Sequence, residues 1–178
     1  NGKVSDFMSN YAIGDYVMHE SAGVCQVAAI KELALQGKGT EKMYYELDPV
    51  FQHDSQVITP VDDKMHRLRD VKSADEMESI LEDVSELDVI QEKNERVRQE
   101  KMKEQIALFD PRPLAGVVKT VYLRKRARLA SGKKSMSSDE RVLQSAGKKL
   151  FEEMAFAMQE DIVKVRDNFF RRLDVLEA

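Results

Sequence analysis

Apolar and polar residues alternate in short runs between positions 15 and 59, the period of two that a half-buried strand requires. The runs at 15–19, 24–30, 42–48 and 56–59 are rich in Val, Ile and Tyr and are separated by Gly, Asp, Ser and Pro, so each reads as a strand. Gln36-Gly37-Lys38-Gly39-Thr40 falls between the second and third, and its two glycines can take the positive φ of a hairpin loop. Gly14-Asp15 and Ala22-Gly23 flank the first strand, a spacing of turns that suits a small, strongly bent barrel.

From Ser73 the period lengthens to about three and a half, which marks the passage from sheet to helix. Ser73-Ala-Asp-Glu76 has the spacing of a capping box, followed on one face by Met77, Ile80, Leu81 and Val84. A highly charged second helix is predicted over 89–108, with a thin apolar stripe at Val97, Met102, Ile106 and Phe109. Asp110-Pro111-Arg112-Pro113 stops it. Pro113 suits the first turn of a third helix carrying Leu114, Val117, Val118, Val121 and Tyr122, which Ser131-Gly132 ends. Ser137-Ser-Asp-Glu140 reads as a second capping box, ahead of Val142, Leu143, Ala146, Leu150, Phe151, Met154 and Met158. A last helix at 161–176 offers Ile162, Val165, Phe169, Leu173 and Leu176. The pattern therefore predicts an α+β chain of two domains: a Tudor/SH3-like β-barrel at 1–70 and an all-α bundle of about five helices at 73–178.

Composition narrows the chemistry. One cysteine, Cys25, cannot form an internal bridge and excludes a Cys-based zinc site. No run approaches the roughly 20 apolar residues of a membrane span, and the first residues lack the order of a secretion signal, so a cytoplasmic protein without a membrane partner is expected. His19, His53 and His66 are too scattered to ligate one metal on a helix, and Cys25 has no neighbouring base. The acidic runs at 75–78 and 82–88 are better explained by solvation and by the helix dipole than by a cation. With no phosphate loop and no nucleophile elbow, neither catalysis, a metal, a cofactor nor a small-molecule substrate is expected.

Charge divides the chain. Residues 1–92 carry 8 Lys and Arg against 19 Asp and Glu, while 93–178 carry 20 against 13. The densest positive stretch, 119–149, holds 10 basic residues and only Asp139 and Glu140 in opposition. Lys119, Arg124, Lys125, Arg126, Arg128, Lys133 and Lys134 are its candidate DNA ligands, because such a surface neutralises phosphates and releases counterions. The plainer alternative is a solvated helix face. Nothing resembles a recognition helix or a zinc finger, so phosphate and shape contacts are expected rather than base readout.

Ile13-Gly14-Asp15-Tyr16-Val17-Met18-His19, then Gly23-Val24, Val27 and Ile30, have an order beyond generic alternation. Met43-Tyr44-Tyr45-Glu46-Leu47 follows as a return strand, then Val57-Ile58-Thr59-Pro60 and Leu68-Arg69-Asp70-Val71. This succession resembles the polymerase-interacting domain shared by the CarD/CdnL transcription regulators and the transcription-repair coupling factor. The helical half is similar to the CarD-type helical domain at 110–128 and at Ser138-Asp139-Glu140-Arg141. The resemblance implies a bacterial, non-catalytic regulator that docks its β module on the RNA polymerase β subunit and contacts promoter DNA through its helices, largely by phosphate and minor-groove contacts, modulating the open complex. A protein adaptor that uses the same β module without touching DNA is the alternative.

On this reading the docking residues are Tyr44, Tyr45, Glu46 and Leu47 on an edge strand, with Val57 and Ile58 beside them. Alternation sets Tyr45 opposite Tyr44 and Glu46, so one tyrosine is expected in the core and the other outside. Two departures accompany the likeness. Members of the family place a tryptophan wedge on the DNA-facing surface, whereas this chain has no Trp and shows Asn94 or Glu95 near that position, with Phe109 or Tyr122 as conceivable substitutes. Several members carry an arginine on the strand that meets polymerase where this chain has Ile58. Docking then depends on apolar packing and backbone pairing, or the polymerase surface differs.

Overall fold

In the computed structural model, which describes residues 10–176, the alternating N-terminal runs become five strands of one antiparallel sheet. They are β1 (Tyr16–His19), β2 (Gly23–Leu33), β3 (Lys42–Pro49), β4 (Val57–Pro60) and β5 (Leu68–Asp70). Their order is β4-β3-β2-β1-β5, so β4 and β5 are the edges and β3 is an interior strand. Positive φ at Gly37 (108°) and Gly39 (88°) closes the β2–β3 hairpin. The register of β2 against β3 shifts between Val27 and Ala29, a bulge that bends the long strand. At that point Val27 N–H donates to the Asp15 carbonyl and Gly14 N–H donates to the Val27 carbonyl, each at 2.8 Å.

Val17, Cys25, Val27, Tyr45, Leu47 and Val61 form the core of this unit. Tyr11 clips its start in place: the ring stands edge-on to Tyr45 at 6.0 Å and the hydroxyl donates to Asp70 at 3.0 Å. His19, buried, accepts the Ser21 and Ala22 N–H groups at Nδ1, both at 3.1 Å, and so caps the β1–β2 turn.

The chain divides into two compact units at the Val71–Lys72 junction. The second contains α1 (Ala74–Glu82), α2 (Glu95–Ala107), α3 (Pro111–Ala130), α4 (Ser137–Met158) and α5 (Ile162–Val175). Ser73 begins α1 with the full capping box: its hydroxyl accepts Glu76 N–H at 3.2 Å and Glu76 accepts Ser73 N–H at 2.8 Å. Asn94, Asp110 and Asp161 cap α2, α3 and α5 with their side chains. Met77, Ile80, Leu81, Leu114, Val118, Leu150, Met154, Val165, Phe169 and Leu173 share one core.

Four expectations require correction. α2 starts at Glu95 rather than near 89, because the backbone of the preceding segment bonds to α3 instead. Lys119 Nζ donates to the carbonyls of Val84, Ser85 and Leu87, all at 2.9 Å, and Ile90 N–H donates to Thr120 Oγ1 at 3.1 Å. The stripe of α2 also differs: Arg98 and Met102 are buried while Val97 is exposed. The second capping box does not form. Met136 occupies the cap position of α4 without a side-chain bond, and Glu140 instead accepts the Ser135 hydroxyl at 2.6 Å. Leu176 lies past the end of α5 and is exposed rather than part of the stripe.

Candidate functional site

On the β unit the first candidate surface follows from strand order. A strand at a sheet edge presents a row of backbone donors and acceptors on its outer side, the requirement for pairing with another chain. The return strand β3 is enclosed between β2 and β4, so it is not that edge. The edge beside it is β4, paired to β3 through Leu47↔Val57, Glu46↔Ile58, Tyr45↔Thr59 and Tyr44↔Pro60.

Side chains sort accordingly. Tyr44 and Tyr45 are both buried, so both faces of β3 are covered and alternation does not divide a core tyrosine from a surface one. Leu47 is fully buried as well, and Glu46 is held by Lys31 at 3.0 Å. Of the six docking residues expected from the sequence, these four lie on the interior strand β3 rather than on an edge. Val57 is half-buried, and Ile58 is 42% exposed on the edge itself. Phe51, absent from the expected set, is a second exposed apolar side chain on the β3–β4 hairpin. Its signal in the sequence was an aromatic residue where a turn would ordinarily be polar.

The basic stretch on the helical unit is also less uniform than its sequence. Lys119 is withdrawn from the expected DNA ligands: it is buried, and all three of its donors are spent on the carbonyls that follow α1. Burial pulls its ammonium below the ordinary lysine range, with the Asp88 carboxylate opposing. Arg124 meets Asp139, which is itself buried, at 3.0 Å. Lys125 meets Glu140 at 2.9 Å, and Arg126 pairs with Asp174 on α5. The Ser135 hydroxyl and Lys125 hold the Glu140 carboxyl below the usual carboxylate range.

Arg128 donates through Nε to the Lys134 carbonyl at 2.8 Å and so shapes the α3–α4 loop, where Lys133 and Lys134 are exposed. These pairings set a ranking. Surface pairs contribute about 0–1 kcal/mol and exchange readily for a phosphate, whereas drawing Arg124 off would strand a buried carboxylate. Arg128, Lys133 and Lys134 are therefore the most available cations, Lys125 and Arg126 follow, and Arg124 is structural.

The candidate wedges fare differently. Tyr122 stacks on Phe170 at 4.4 Å and donates its hydroxyl to Asp174 at 2.7 Å, which places it in the helix packing. Phe109 sits half-buried with φ of 54° between α2 and α3. Asn94 caps α2, and Glu95 accepts the Ser138 hydroxyl at 3.3 Å. Among the described residues no cluster of His, Cys, Asp and Glu is arranged to hold a metal, and no helix is long and apolar enough to cross a membrane.

A short, bent antiparallel sheet whose edge strand β4 carries an exposed isoleucine is suited to docking another protein chain. Residues 11–72 match the family model of the CarD-like/TRCF RID domain, a family of RNA polymerase-interacting domains. The family is non-enzymatic, and the match ends at Lys72, where the helical unit begins. No curated protein matches the chain.

Proposed function

We propose that the chain is a transcription regulator that docks on the β subunit of bacterial RNA polymerase through the outer side of β4, with Ile58 as the apolar contact, and steadies promoter DNA through Arg128, Lys133 and Lys134. The observation that carries the reading is an RNA polymerase-interacting domain whose β4 edge is exposed and bears an outward isoleucine. Strand addition supplies affinity from backbone hydrogen bonds and specificity from alternate side chains. Isoleucine there favours an apolar complement on the partner over a carboxylate.

Tethering reduces what the DNA contacts must achieve. A few phosphate contacts bind weakly and in a salt-dependent way when alone. Once the module holds the helical unit close to the promoter, they act at high effective concentration. A differential interaction of only about 1.4 kcal/mol between closed and open complexes changes their ratio tenfold.

The test is binding of the full chain to a purified β-subunit fragment, wild type against Ile58→Asp. Loss of at least tenfold in affinity in a variant that keeps its circular dichroism supports the reading. Equal affinity removes β4 as the docking edge. A protein adaptor that does not contact DNA is the second reading, favoured by the ion pairs that engage Arg124, Lys125 and Arg126. It predicts weak duplex binding at low and physiological salt alike.

A further inference from the structure

α3, α4 and α5 leave an open-sided groove of about 680 Å³ whose lining is uneven in character. Its floor is apolar: Leu143 and Phe151 from α4, Ile162 and Phe170 from α5, and the backbone at Gly147, where the lack of a side chain deepens it. The floor is also fixed in place. Phe151 meets Phe170 edge-on at 5.5 Å, and Phe170 in turn stacks on Tyr122. Val163, 48% exposed, extends the apolar surface to the lip.

The rim is basic. Lys125, Arg141, Lys148 and Arg166 stand around the floor, and the one carboxylate in the lining, Glu140, is already engaged by Lys125. Lys148 and Arg166 have only long pairings, Lys148 with the buried Glu152 at 3.9 Å and Arg166 with the exposed Asp167 at 3.5 Å.

We propose that this groove receives an amphipathic helix of a second protein, one that carries an apolar ridge flanked by Asp and Glu. Charge complementarity identifies the flanks, since four cations and one occupied carboxylate call for an anionic occupant. The floor identifies the ridge, because apolar surface is stabilised only by apolar contact and side chains at i, i+3, i+4 and i+7 of a helix form such a ridge. A duplex backbone brings the charge without the apolar surface. A second copy of this chain is a poor occupant: its most acidic helix, α1, has Met77, Ile80 and Leu81 buried in its own core. Lys133 and Lys134 lie outside the groove, which makes it separable from the loop assigned above to DNA.

The experiment measures fluorescence anisotropy of the full chain, near physiological salt, with a labelled 16-residue peptide bearing leucines at i, i+3, i+4 and i+7 and glutamates on both flanks. A peptide of the same composition, shuffled to destroy the ridge, is the control. The proposal predicts saturable binding at least tenfold tighter than the control, reduced at least tenfold by Arg141→Glu with Lys148→Glu and separately by Val163→Asp, and unchanged by Lys133→Glu with Lys134→Glu. All these side chains are exposed, and retention of the fold in each variant is checked by circular dichroism. Equal binding of both peptides, or indifference to the rim and lip variants, overturns the proposal. So does a 20-base-pair duplex whose affinity falls with the rim variants while the peptide fails to bind, which would make the groove part of a nucleic-acid face.

Discussion

A lysine whose ammonium is enclosed by three carbonyls acts on folding rather than on DNA. Lys119 substitutes for the helix that residues 84–90 do not form, taking the Val84, Ser85 and Leu87 carbonyls. Lys119→Met keeps the chain length and leaves those acceptors buried without a donor, at a cost of about 3 kcal/mol. A urea midpoint falling accordingly, with the salt dependence of DNA binding unchanged in the folded variant, is the expected result. Glu152 gives a titration prediction. Burial pushes its carboxyl up, against the pull of Lys148. Between the ordinary glutamate value and that raised one, the folded state keeps a proton the unfolded state has released, so the wild type loses stability as pH rises through the window. Glu152→Gln has no such proton to lose. Urea midpoints at about pH 4 and pH 7 should therefore show the variant gaining on the wild type toward neutrality, and a difference independent of pH would contradict the assignment.

At the scale of elements, two glycines in helices make opposite predictions. A Cβ at Gly116 on α3 would lie 2.8 Å from the Asp88 carbonyl oxygen, so Gly116→Ala must displace backbone and is expected to cost about 1–3 kcal/mol. A Cβ at Gly147 on α4 meets only the Phe151 ring edge at 3.4 Å, and Gly147→Ala recovers up to about 1 kcal/mol of helix propensity. Thermal midpoints moving in opposite directions would bear this out. The same elements show what local pattern encodes. Ser73 and Glu76 form their box because both partners lie within one turn. Ser137 and Glu140 have the same spacing, but the helix takes Met136 as its cap and the box does not form. The start of α2 was hidden because what holds residues 84–90 out of a helix lies some 30 positions away, on Lys119 and Thr120. Strand positions were legible from alternation, whereas their order was not: the placement of β4 rather than β3 at the edge is a long-range property.

For the molecule as a whole, the acidic and basic halves of the sequence were legible, but the carboxylates that return to meet the cations were not. Asp139 and Asp174 come from α4 and α5 to engage Arg124 and Arg126, so the basic stretch is in part an internal ion-pair network. If the remaining cations bind phosphate, replacing Arg128, Lys133 and Lys134 together with Ala should flatten the log–log salt slope of duplex binding by about 2–3, near 0.9 for each phosphate no longer neutralised. An unchanged slope would assign the loop to another role.

The proposed function requires one chain to hold polymerase by the β4 edge and DNA by the basic loop at the same time. It is tested most directly by measuring the affinity of the full chain for RNA polymerase alone and for polymerase assembled on a promoter. Simultaneous engagement gives tighter binding to the promoter complex, by about tenfold for a coupling near 1.4 kcal/mol. That increment should disappear in the Arg128, Lys133 and Lys134 triple variant, and both affinities should collapse in Ile58→Asp. Equal affinity for the two forms in the wild type, or full binding by Ile58→Asp, would contradict it.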